Sequence, residues 1–99
     1  MNELMSTKIN WKYNEPKTLL EISKYLEGTY DQHYVGNKDI QTVDFWHSLG
    51  SLDTTARDNA IKYLARYGKK GGKNRKDLIK AIHYIILMMW DQEQETETE

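Results

Sequence analysis

Asn59, Lys62 and Arg66 carry an amide and two cations at spacings of three and four residues, which sets them along one edge of an α-helix. Gly68 follows, and then Lys69, Lys70 and Lys73 are interleaved with Gly71 and Gly72. Arg75 and Lys76 open the next apolar-periodic segment, and Lys80 lies one turn further along. Cations in the first turn of a helix oppose its dipole, at a cost of roughly a few tenths of a kcal/mol each. An anion held between them reverses that sign, because phosphate satisfies the free backbone N–H groups, the lysines and the dipole together. The pattern points to a phosphate-bearing ligand. Asn59, Lys62, Arg66, Lys69, Lys70, Lys73, Arg75 and Lys80 are its candidate contacts.

His33 and Tyr34 join this set from a polar stretch containing Gly36 and Asn37. A histidine can hydrogen-bond phosphate and a tyrosine can stack on a base. His47 and His83 fall on apolar-periodic segments and read as packing or surface residues. The histidines lack the close spacing of zinc ligands, and cysteine is absent. The stretch Gly68 to Asn74 is not a P-loop. It is one residue short between its glycines, has Asn74 where magnesium needs Ser or Thr, and follows a helical pattern. No paired carboxylates stand at helical spacing in the basic centre, where Asp58 and Asp77 are the only acids.

The elements that position these residues are helices. Pro16 suits a first helical turn, and Leu19, Leu20, Ile22, Tyr25 and Leu26 recur at helical spacing up to a stop at Gly28. Asp39 caps a second helix with Ile40, Val43, Phe45, Trp46 and Leu49, ending at Gly50. Asp53 caps a third, whose stripe is Ala56, Ala60, Tyr63, Leu64 and Tyr67, ending at Gly68. Asn74 caps a fourth, with Asp77 placed to complete a capping box. Its buried face is Leu78, Ile79, Ile82, Ile85, Ile86 and Met89. The expected fold is an all-α bundle of about four helices, with a basic Gly/Lys loop between the last two. Residues 1–15 read as irregular, 16–90 as one helical domain and 91–99 as a disordered acidic tail.

Charge is segregated within a near-neutral whole. Arg57 to Lys80 carries nine Lys or Arg against two Asp, whereas Ala81 to Glu99 carries five acids and no Lys or Arg. The basic segment attracts anions, and the acidic remainder disfavours long nucleic acids. The run Ile85 to Trp90 is apolar nearly all round, which a small bundle covers poorly, so a homo-oligomer through the last helix is expected. No apolar run reaches the roughly 18 residues of a membrane span, and neither a signal peptide nor a disulfide is indicated. The expected location is the cytoplasm.

His33-Tyr34, Asp39-Ile40, Asp44-Phe45, the string Asn59 to Leu64 with Arg66, Gly68, Lys69 and Lys70, and Asp77-Leu78 with Lys80-Ala81 and Tyr84 form a recognisable pattern. It resembles a family of small phage proteins of unassigned function, itself similar to part of a T-odd coliphage deoxynucleoside monophosphate kinase. The resemblance covers about His33 to Trp90. It implies a phage origin, a host-cell cytoplasmic setting and a nucleotide ligand. Two functional expectations follow. The first is an accessory protein that binds a nucleotide or nucleotide-derived signal, sequestering it to counter host defence. The second is a nucleotide kinase using ATP and Mg2+. An inhibitor that docks on a host protein is a further alternative.

Overall fold

The computed structural model describes residues 8–30, 38–69 and 71–98. Among them the chain forms four helices and no strand: α1 (Glu15–Thr29), α2 (Lys38–Ser48), α3 (Leu52–Arg66) and α4 (Arg75–Thr98). The all-α expectation holds. None of these helices is long and apolar enough to cross a membrane.

The chain enters α1 through Asn14, which adopts a left-handed conformation (φ 60°), and Pro16 sits in the first turn. Gly28 does not stop α1. The helix continues to Thr29, whose hydroxyl donates to the Leu26 carbonyl at 2.7 Å. α2 is described from Lys38, and the Asp39 side chain expected to cap it lies outside the described residues. Gly50 (φ 77°) then makes the tight corner expected of it, with its N–H donating to the His47 carbonyl. Ser51, not Asp53, takes the N-cap position of α3, and Asp53 serves as an acid in the first turn.

α3 and α4 form an antiparallel hairpin, the main packing unit of the molecule. Leu52, Ala56 and Ala60 from α3 are buried, as are Ile79 and Ala81 from α4. Alanines at the contact let two helix backbones approach closely, since interaxial distance follows side-chain size. Leu64, assigned above to the stripe, is 51% exposed. The buried line of α3 runs through Leu52, Ala56 and Ala60, and Leu64 falls on its outer flank.

Between the two helices, Gly68, Gly71 and Gly72 all have positive φ, a conformation cheap only for glycine. The Gly68 N–H donates to the Gly72 carbonyl at 3.0 Å and closes the loop. Asn74 caps α4 as expected, its Oδ1 accepting from the Lys76 N–H at 3.0 Å. Asp77 does not complete a capping box. It is buried and turned towards Arg66, whose Nε lies 3.8 Å from its Oδ1.

Two further expectations for α4 change. Ile85, Ile86 and Met89 are exposed, because α3 covers only one side of the helix. The acidic stretch after Trp90 continues the helix through Asp91 to Thr98. Asp91 then reaches α2, its Oδ1 standing 2.7 Å from His47 Nδ1. The His47 ring also packs on Trp90, with centroids 4.7 Å apart. His47 is thus a packing residue that fastens α2 to α4. α1 is fastened by Glu21 to Arg75 and by Tyr25 edge-on to His83.

Candidate functional site

The α3–α4 hairpin places Tyr63 opposite Tyr84, with ring centroids 6.1 Å apart and planes 17° from parallel. Lys62 Nζ lies 4.7 Å from the centre of the Tyr63 ring, and Lys80 Nζ lies 5.4 Å from it. Each distance is within cation–π range, an attraction of about 0.5–1 kcal/mol at an exposed site. Two ammonium groups from two helices therefore gather on one phenol. Sequence spacing alone placed Lys62 and Lys80 in one set, and the structure brings them together.

A cavity of about 300 Å3 opens beside them. It is walled by Tyr25 and Thr29 of α1, Thr42, Val43 and Trp46 of α2, Tyr63 of α3, and Lys80, His83, Tyr84 and Leu87 of α4. That volume is at the lower end for small-molecule sites, and aromatic walls with a few polar groups are their usual composition. Burial disfavours the charged imidazole and holds His83 below the ordinary histidine range. Burial also pushes the Tyr25 phenol up, with the Tyr63 phenol adding to the effect. Lys80 thus stands at the wall of a cavity in which burial favours the neutral forms of His83 and Tyr25.

The remaining candidates are distributed differently. The Asn59 amide donates to the Thr55 carbonyl at 2.9 Å on its own helix. Arg66 faces Asp77. Arg75 is engaged by Glu21, with Nε 2.9 and 2.8 Å from the two carboxylate oxygens and Nη2 2.7 Å from Oε1. This fork lowers the Glu21 carboxyl below its usual range, through the hydrogen bond first. Lys69 and Lys73 are exposed on the loop. His33, Tyr34 and Lys70 lie outside the described residues.

The N-terminus of α4, singled out above as a seat for an anion, has acceptors of its own. Asn74 takes the Lys76 N–H through its side chain and the Asp77 N–H through its carbonyl. The Asp77 carboxylate adds a negative charge in the same turn. One turn on, Lys80 and Tyr63 bring a cation and a ring to the cavity wall. Tyr25, Trp46 and His83 escaped the sequence reading as site residues, and Tyr84 entered it only through the resemblance. The available signal was Tyr84 one turn after Lys80, which places both on one edge of α4.

Fold and site together define a class: a helical-hairpin domain with a basic, aromatic-lined cavity walled by all four helices. The chain belongs to the family described as a protein of unknown function, DUF3310, whose model matches residues 29–86. The matched span runs from the end of α1 into α4 and contains Tyr63, Lys80 and Tyr84. That description names no activity, so the likeness to a nucleotide kinase draws no support from it. No curated protein and no solved structure matches the chain.

Proposed function

We propose that this protein binds a nucleotide or nucleotide-derived phosphate ligand in the cavity between α1, α2 and the α3–α4 hairpin, and holds it without transforming it. The observation that carries the reading is the pair Lys62 and Lys80 gathered on Tyr63 at the wall of an aromatic cavity. The ammonium groups suit phosphate, and the Tyr84, Trp46 and Tyr25 rings suit a planar base. Such a ligand combines one anionic end with one flat apolar end, and the cavity offers both complements. The segregated basic charge of residues 57–80 favours the same ligand class.

Holding is preferred to phosphoryl transfer. A kinase needs acids to hold magnesium or to position the nucleophile. Among the described residues no group of three or more His, Asp or Glu side chains converges, and the buried Asp77 is directed at Arg66. The resemblance of the Asn59–Lys70 string to small phage proteins makes sequestration of a host defence signal the fitting role. Docking on a host protein is the third reading.

Equilibrium dialysis against nucleoside mono-, di- and triphosphates and cyclic nucleotides, followed by mass analysis of both compartments, tests the proposal. The expected result is saturable binding of at least one nucleotide, recovered unchanged and weakened by Lys80→Ala. Conversion of a monophosphate to a diphosphate in the presence of ATP and magnesium would replace holding with transfer. No binding across the panel would end the nucleotide reading.

A further inference from the structure

The α3–α4 hairpin has two broad faces, and the cavity with its lysines occupies one of them. The other carries Ile61 and Leu64 of α3, 55% and 51% exposed, and Ile85, Ile86 and Met89 of α4, 43%, 38% and 58% exposed. Their common side follows from helix geometry and from one shared boundary. Asp53, Arg57, Ile61 and Leu64 run down a single flank of α3 at steps of four, four and three. Asp53 and Met89 both border a second cavity, of about 700 Å3, which joins that flank to the Ile85–Met89 flank of α4. Exposed apolar side chains on two packed helices, rimmed by polar groups such as Asp53, Thr54 and Gln92, form a pattern that marks an interaction site.

Charge along this surface selects the occupant. The hairpin is antiparallel, so its loop end collects exposed Lys69 and Lys73, while its open end collects exposed Asp53 and Glu93, with exposed Arg57 one turn in from Asp53. The charge counts show the same polarity, since residues 57–80 carry a net charge of +7 and residues 81–99 a net charge of −5. A face with one positive and one negative pole is complementary to itself when turned end for end. Two copies meeting about a two-fold axis that crosses the helices would set each basic loop against the partner's acidic end. The apolar side chains would then close the centre. A two-fold axis along the helices would set like against like and is disfavoured.

We infer that the face of Ile61, Leu64, Ile85 and Met89 is the interface of an antiparallel homodimer, in which the loop of one chain lies on the acidic end of α4 of the other. The dimer is a four-helix contact built from two hairpins. It leaves the Tyr63–Lys80 cavity on the outside of each copy, so it stands independently of the nucleotide proposal.

Sedimentation of the full chain across a range of salt concentrations is the first measurement. A dimer that weakens as salt rises is expected, and Met89→Asp should shift it to monomer. A sharper test uses two charge-altered chains, one with Asp53→Lys and Glu93→Lys, the other with Lys69→Glu and Lys73→Glu. Each alone should be monomeric and helical by circular dichroism, and the mixture should form a heterodimer. A wild-type monomer at every salt concentration would overturn the inference. So would altered chains that dimerise alone, or that fold but do not pair when mixed. The mixing result decides the matter even if Met89→Asp unfolds.

Discussion

Arg66 Nε lies 3.8 Å from Asp77 Oδ1, and the other carboxylate oxygen, Oδ2, is buried with no hydrogen-bond partner among the described residues. A buried carboxylate is costly unless a cation compensates it, and here a half-exposed guanidinium is its neighbour. Arg66 therefore stabilises the fold, whatever it does for a ligand. Arg66→Ala should lower stability by about 1–2 kcal/mol, a figure reduced from the fully buried case because solvent screens the arginine. Adding Asp77→Asn should recover part of the loss, because the uncompensated charge is gone. Urea midpoints of the two variants check this, and an unchanged midpoint for Arg66→Ala would count against the pairing.

The cations differ in what they are committed to. Arg75 is held by Glu21 on the surface, whereas Lys80 stands at the cavity wall. Lys80→Ala should weaken nucleotide binding about tenfold, the loss of roughly one charge-assisted hydrogen bond. Arg75→Ala should leave the affinity unchanged. Titration calorimetry of both variants separates a cavity ligand from one bound by diffuse basic charge, which would respond to both alike.

Burial holds His83 below the ordinary histidine range, so the unfolded chain takes up its proton at a higher pH than the folded chain. The stability linked to His83 is complete above the unfolded pKa. It is lost as pH falls from there to the lower folded pKa, because only the unfolded state gains the proton across that interval. His83→Gln should flatten this part of the pH profile. Denaturant unfolding at several pH values below neutrality measures it, and an identical slope in wild type and variant would contradict the assignment.

Leu52 and Leu64 make a contrasting pair on one helix. Leu52 is fully buried below the Gly50 corner, and Leu64 is 51% exposed. Leu52→Ala should cost about 2–5 kcal/mol through lost burial and the cavity left behind. Leu64→Ala should stay within about 0.5 kcal/mol in the monomer. Thermal unfolding at concentrations below dimerisation distinguishes them.

What the residues disclosed in advance was local. The glycine stops at Gly50 and Gly68 and the cap at Asn74 depend on a few neighbouring residues, and all stand in the structure. The helices α1, α3 and α4 followed from apolar periodicity in the same way. Pairings across the fold were not legible. Glu21 meets Arg75 across 54 positions, and His47 meets Asp91 across 44. Only the packing of whole helices decides which of several equivalent charges meet. Arg75 and Arg66 looked like free ligand contacts because nothing near them in sequence marks Glu21 or the inward turn of Asp77. The acidic stretch read as disordered because its composition is polar, yet Asp91 has a partner on α2. Tyr63 was placed in the apolar stripe of α3, but its stacking on Tyr84 needed the register of the hairpin.

The fastening of α2 has a consequence for motion. It is tied in at its C-terminal end, by the Gly50–Ser51 corner and by His47 on Asp91 and Trp90. It supplies Thr42, Val43 and Trp46 to the cavity, yet its packing on the hairpin is slight compared with that between α3 and α4. Local opening free energy follows packing, so α2 forms a weaker cooperative unit than the hairpin. Its amides should exchange with deuterium well before those of α3 and α4. One wall of the cavity can then open and reclose while the two helices bearing Tyr63, Lys80 and Tyr84 stay in register, which gives a ligand a way in without unfolding its site.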